Sequence, residues 1–341
     1  MSQPQLGVRR RRPMVISTET LVTTSFLRAE QRLPFVIQPA VKGLDLTRWT
    51  EQHKEFINTN LLQYGGLLFR NFDITTAASF EQFIRCLCGE LLEYRERSSP
   101  RTQISGQIYT STDYPADQSI FLHSENSYQN TWPMKIFFFC EKAAEQGGET
   151  PIADCRRIYE RIAPDIRNRF IEKGWVYIRN FGDGFGIPWQ TALQTTNKAD
   201  VEKHCLKNGI TAEWKGDDRL RLRAVRPAIA RHPFTREMVW FNHATFFHVS
   251  SLEPSVQEAL LAEFKEVDLP TNTCYGDGST IEPQVLDHLR EAYRQETVKF
   301  PWQPGDILML DNMLVAHGRA PYTGTRNIMV GMAEPYSDRG I

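Results

Sequence analysis

The chain has 341 residues, 41% hydrophobic and 24% charged, with a formal net charge of −1. That balance suits a globular enzyme with a sizeable core and gives no global electrostatic reason to expect a nucleic-acid or membrane partner. Six dilute cysteines without a Cys-x-x-Cys pair argue against a disulfide framework and for reduced thiols in a cytoplasmic protein.

Taken from the N-terminus, Arg9 to Arg12 and Pro13 form a short basic tail with no long apolar run behind it. Residues 1–30 are expected to be partly flexible, without a signal peptide or membrane anchor. Apolar residues at three- to four-residue spacing predict helices over 46–64 and 77–91, the second on Phe80, Phe83, Ile84 and Leu87. Gly65-Gly66 stops the first helix and Leu67-Leu68-Phe69 starts a buried strand. Cys86 and Cys88 read as helix residues rather than metal ligands. Arg95, Arg97 and Arg101 form a basic cluster, either a solvated face or a trap for a substrate carboxylate or phosphate. Further strands are predicted at 137–140, 176–179, 225–229 and 238–241, and helices at 256–267 and 283–294, with Pro283 at a first helical position. Pro304-Gly305-Asp306 marks a turn between helix and strand, followed by strands at 307–310 and 326–332. Without internal repeats or a linker, the chain reads as a single domain, 1–341. Its class is expected to be α+β, a double-stranded β-helix (jelly roll) core with helical insertions.

The chemistry lies in two segments. In Phe121-Leu122-His123-Ser124-Glu125, strand alternation would put His123 and Glu125 on one face, able to grip a single ion; an imidazole and a carboxylate suit Fe(II), Zn or Mn. Alone, His-x-Glu is weak. The second segment runs Asp311-Asn312, then His317-Gly318-Arg319, then Arg326-Asn327-Ile328-Met329-Val330. Arg326 falls in line with Ile328, Val330 and Met332, and a guanidinium among apolar side chains means either that the face opens to solvent or that the pocket supplies an anion.

On these segments, with Ser99-Pro100-Arg101-Thr102, Gly147-Gly148-Glu149-Thr150-Pro151, Trp240-Phe241-Asn242 and Tyr275-Gly276-Asp277-Gly278, most of the chain resembles the TauD/TfdA (taurine dioxygenase-like) family of iron and 2-oxoglutarate oxygenases. It is similar within that family to the syringomycin-biosynthesis type, which modifies amino acids for peptide natural products. The resemblance implies Fe(II), 2-oxoglutarate and O2 as cofactor and cosubstrates. It implies iron on His123, Glu125 and His317, and the distal carboxylate of 2-oxoglutarate on Arg326 and Thr150. Val330 stands where the taurine enzyme has a sulfonate-binding arginine, so a sulfonate substrate is not expected. Halogenating relatives lack the carboxylate, so Glu125 implies oxygenation. Asn242, His243, Phe246 and Arg101 are candidate substrate contacts, with a structural histidine as the alternative for His243. Arg319 is expected in a structural salt bridge, with contact to the cosubstrate as the alternative. The expected substrate is a small amino acid or its derivative, free or on an acyl or peptidyl carrier protein. Desaturation or cyclisation remain open to the same chemistry. A zinc hydrolase would leave Arg326 and Thr150 idle, and a non-catalytic jelly-roll module would not need all three ligands.

Overall fold

A computed structural model describes residues 21–92, 102–111, 114–182, 184, 186–216 and 218–337. The basic tail and the Arg95, Arg97 and Arg101 cluster lie outside the described residues. The chain is a mixture of helices and β-sheets, as its composition of short apolar runs and amphipathic segments requires.

The largest sheet has eight strands, in the order Val22–Arg28, Gln31–Pro39, Gly66–Phe69, Ile307–Asp311, Trp132–Lys142, Asn327–Tyr336, Ile108–Thr110 and Gln103–Ser105. The long strand Trp132–Lys142 lies between two others and is buried on both faces, hence its unbroken apolar run. Phe137 and Phe139 pack against Phe80 and Phe83 of helix Ala77–Cys88, while Ile136 and Phe138 join the other core layer. Lys135 is tolerated in this run because its ammonium reaches Glu334 at 2.7 Å and Asn58 at 2.9 Å.

A three-stranded sheet of Ile120–His123, Val315–Arg319 and Ile152–Asp154 shares the second core layer with the large sheet. Between Asp154 and Ile307 lie several helices and a four-stranded antiparallel sheet, Ile210–Lys215, Arg219–Arg226, Trp175–Phe181 and Thr271–Tyr275.

Several expectations need correction. The helix expected over 46–64 is two helices, Leu46–Gln52 and Lys54–Tyr64, parted at His53, whose ring stacks on Trp49 and whose Nδ1 donates to the Trp49 carbonyl at 2.6 Å. Gly65, at φ 78°, ends the second as expected. The strand expected over 225–229 is interrupted by Pro227, which has no N–H to give, and splits into Arg219–Arg226 and Ile229–Arg231. The helix expected over 256–267 is Pro254–Glu263; none of its residues is buried, so no core contact extends it. Within the segment expected to be partly flexible to residue 30, Val22–Arg28 forms a strand, paired to Gln31–Pro39 and held by Phe26 on Phe35 and Tyr64.

Candidate active site

Strand register brings the two histidines together. His123, the last residue of Ile120–His123, lies directly opposite His317 in Val315–Arg319, with ring centroids 4.6 Å apart. The next pair along is Arg319 with Ile120, so one strand has an extra residue between the pairs. This β-bulge puts Ile120 on the same side as His123 although they are three apart. Gly318 faces the bulge, and a Cβ there would sit 2.6 Å from the Ile120 carbonyl oxygen.

Glu125 is not delivered by strand alternation. The strand stops at His123 and Glu125 lies in the following turn, where Asn126 takes the left-handed conformation (φ 57°) that asparagine tolerates. The turn is fixed by Asn312, which sequence reasoning used only as a marker. Its Oδ1 accepts from the Glu125 N–H at 2.7 Å, and its Nδ2 donates to the Glu125 and Pro133 carbonyls, both at 2.9 Å. Beside it, Asp311 accepts from the N–H groups of Met313 and Leu314 at 3.0 Å and meets buried His232 at 3.1 Å. The turn leading to His317 is therefore as tightly held as the turn carrying Glu125.

The ligand atoms of His123, Glu125 and His317 lie within 4.8 Å of one another, with His317 Nε2 3.8 Å from Glu125 Oε2. Among the described residues this is the one grouping of histidine, cysteine and acid side chains arranged to hold a metal ion. His123 Nδ1 faces the Phe121 carbonyl at 2.9 Å, which can only accept. That contact fixes the proton on Nδ1 and puts the ring's lone pair on Nε2, the usual device behind a ligating histidine. Two imidazole nitrogens and one carboxylate oxygen fit Fe(II). Phe138 against His317 (5.0 Å) and Phe246 against His123 (4.7 Å) keep the surroundings apolar. Cys86 and Cys88 take no part; burial raises both thiols, Cys88 to about 12.

His123, His317, Phe138, Val330, Thr150 and Arg326 line one cavity. Arg326 just precedes the strand Asn327–Tyr336, whose register shifts between Asn327 and Ile328. Its guanidinium donates to the Gly148 carbonyl at 2.8 Å, Ser111 Oγ at 3.2 Å and Thr150 Oγ1 at 3.5 Å. No carboxylate pairs with it among the described residues, and burial, aided by the charge of Arg319, lowers it to about 10. Such a cation calls for an anion.

The salt bridge expected for Arg319 is absent among the described residues. Its guanidinium instead donates to the carbonyls of Tyr114, Pro115 and Gln118 and lies near the Tyr114 and Tyr322 rings. Of the candidate substrate contacts, Asn242 spends its amide on the backbone, on Ala228 O at 2.7 Å and Ala244 N at 2.9 Å, and acts as a turn clamp. His243 and Phe246 do reach the site, at 5.6 and 4.7 Å from the His123 ring. His243 bonds Ser127 Oγ at 2.6 Å, and burial holds it well below the usual imidazole range, so it is neutral. Arg101 lies outside the described residues.

Comparison with known proteins finds relatives over most of the chain. The model of the family described as taurine catabolism dioxygenase TauD, TfdA matches residues 30–333. The chain is 44% identical over 279 residues to the dapdiamide synthesis protein DdaC of Enterobacter agglomerans, covering 82% of this chain and 85% of that protein. It is 28% identical over 306 residues to a clavaminate synthase-like protein of Arabidopsis thaliana, covering 87% and 89%. Among solved structures, PvcB of Pseudomonas aeruginosa shares the fold, with a TM-score of 0.56 at 14% identity over 93% of each chain.

Proposed function

The chain belongs to the taurine catabolism dioxygenase TauD, TfdA family, and on that premise we propose that His123, Glu125 and His317 hold its iron while Arg326 and Thr150 receive the distal carboxylate of 2-oxoglutarate. It is an Fe(II)- and 2-oxoglutarate-dependent oxygenase. The observation that carries the site assignment is the meeting of three ligand atoms beside a cavity that the two histidines line together with a half-buried arginine, which no carboxylate pairs among the described residues.

Bound iron, with 2-oxoglutarate and O2, supplies an oxidant for an unactivated C–H bond and leaves succinate and CO2 as coproducts. The chain's own residues do the rest. His123 and His317 offer neutral nitrogens, and Glu125 supplies the single negative charge and occupies the position a halide would need. Arg326 offers a fork of donors matched to a carboxylate. Phe138 and Phe246 exclude water from the imidazoles.

We take the substrate to be an amino acid or amino-acid-derived metabolite of natural-product biosynthesis, a reading supported by the likeness to a dapdiamide synthesis protein. The leading outcome is hydroxylation, and the substrate class includes thioesters on an acyl or peptidyl carrier protein. The eight-stranded and three-stranded sheets are read as the two walls of a double-stranded β-helix in one domain, supported by the core layer they share. No helix among the described residues is long and apolar enough to cross a membrane, and a cytoplasmic setting accords with free cysteines.

Anaerobic protein given Fe(II) and 2-oxoglutarate is expected to develop a weak visible charge-transfer band and, on admission of O2, to release succinate. His317→Ala should lose both. Full succinate formation by that variant, or tight zinc binding with no band in the wild type, overturns the ligand assignment.

A further inference from the structure

A second concavity borders the site. This surface groove, of about 670 Å³, includes five cationic side chains in its lining, Arg28, Arg290, Arg294, Lys299 and Arg319, and no carboxylate among the described residues. Arg28 and Lys299 make no ion pair among the described residues. Arg290 and Arg294 pair only with Asp287 and Glu291 on their own helix, Pro283–Glu296, and neither acid lines the groove. Even with both acids set against them, three positive charges remain uncompensated. The neighbouring groove shows that this is not the general character of the surface: there Arg156, Arg157 and Arg161 are matched by Asp154, Glu237 and Glu296.

The charged groove meets the active-site cavity at two residues, since Ile120 and Arg319 line both. Arg319 is only 5% exposed, and its Nε is buried without a hydrogen-bond partner. Its charge adds to burial in disfavouring the protonated form of Arg326. The path from groove to cavity therefore passes from exposed cations, to a buried cation, to a half-buried one, with no carboxylate pairing either of the last two among the described residues. Fixed charges of one sign along a concave path raise the local concentration of an opposite, multivalent ion and its rate of association.

We propose that this groove is the port by which 2-oxoglutarate enters, its rim of Arg28, Arg294 and Lys299 collecting the dianion and Arg319 passing it to Arg326. The inference deepens the functional reading above and rests on Arg326 as the end point. Exposed charges supply the rate of arrival, while Arg326 and Thr150 set the lifetime of the complex, so the two contributions separate kinetically.

The test is stopped-flow binding of 2-oxoglutarate to the anaerobic Fe(II)-loaded protein. Intrinsic fluorescence is the readout, because the Trp302 indole N–H donates to Thr150 Oγ1 at 3.2 Å. The wild-type association rate is expected to fall about fivefold as salt rises from about 0.02 to about 0.3 M, as screening shortens the reach of the rim. The double charge reversal Arg294→Glu with Lys299→Glu is expected to lower the low-salt rate about tenfold and to flatten its salt dependence, with a much smaller change in dissociation. A control pair on a remote helix, Lys203→Glu with Lys207→Glu, should follow the wild type. A wild-type rate indifferent to salt, or a rim variant with the wild-type rate and slope, overturns the port while leaving the Arg326 assignment in place. Wild-type protein that binds no 2-oxoglutarate at all overturns both.

Discussion

Removing the side chain of Asn312 should damage the metal centre although Asn312 touches no metal. The residue is fully buried, and its amide makes three hydrogen bonds to backbone groups of Glu125 and Pro133. Asn312→Ala strips those three groups of their partner in a place water does not reach. At about 1–1.5 kcal/mol per bond, the loss is about 3–4 kcal/mol, a large fraction of a typical domain's stability. Glu125 would also lose the restraint on both sides of its peptide, and releasing such a supporting contact costs roughly 10- to 100-fold in metal affinity. Asn312→Asp separates hydrogen bonding from packing. It is nearly isosteric, so if only volume mattered it would be tolerated; if the two N–H donors matter, it should be at least as harmful as alanine, because a buried carboxylate would then face two carbonyl oxygens. Denaturant unfolding and calorimetric titration with Fe(II) read the two effects. An alanine variant within about 1 kcal/mol of wild type and with undiminished affinity would refute the argument.

Three further outcomes follow from single residues. Arg326→Met should leave the ligand-free protein as stable as wild type or more so, since a half-buried cation with no carboxylate partner among the described residues is costly, yet should abolish the rise in melting temperature that 2-oxoglutarate gives the wild type; a variant that melts lower and still responds contradicts the assigned role. Burial and the charge of Arg290 lower His248 to about 4, and its Nδ1 accepts from the Ser250 N–H at 3.1 Å. The unfolded chain therefore binds that proton first, so the contribution is complete above about pH 6.5 and fades as pH falls toward 4, by up to ~3 kcal/mol, a slope that His248→Asn should lack in unfolding titrations. Gly318→Ala drives a methyl to 2.6 Å from the Ile120 oxygen; about 2 kcal/mol of destabilisation and weaker iron binding are expected, and unchanged affinity would show that the bulge does not set the site.

How much of this was legible in the sequence depends on the range of the forces involved. Elements held by their own pattern were readable: Ala77–Cys88 shows its apolar stripe, and Pro283–Glu296 starts at its proline. Breaks caused by a single side chain bonding its own backbone, as at His53, carry no periodic signal. The proposed ligand set came from motif resemblance, but the reason offered for its geometry was incomplete. Strand alternation predicts a shared face for His123 and Glu125, whereas the strand ends between them and a turn supplies the geometry. Asn242 misled because its motif neighbours do approach the site while its own amide is consumed by Ala228 and Ala244. Arg319 misled because a buried arginine suggests a carboxylate, and carbonyls from a loop far away in sequence took that place.

One segment ties the three ligands together. From Asp306 to Ala320 every residue is buried. His317 belongs to that run, His123 is placed by backbone pairing to it, and Glu125 is pinned by Asn312 within it. The ligands therefore do not depend on three separate anchors that could fail one at a time. A displacement of the run shifts all of them relative to the cavity, so loss of the centre should track loss of this packing cooperatively. The same rigidity explains how the fold tolerates Arg319 within the run and Arg326 beside it with no carboxylate against either among the described residues. A soft site would relax by letting water or an acidic side chain reach those cations, whereas a fully packed segment keeps them waiting for an anion of the right length.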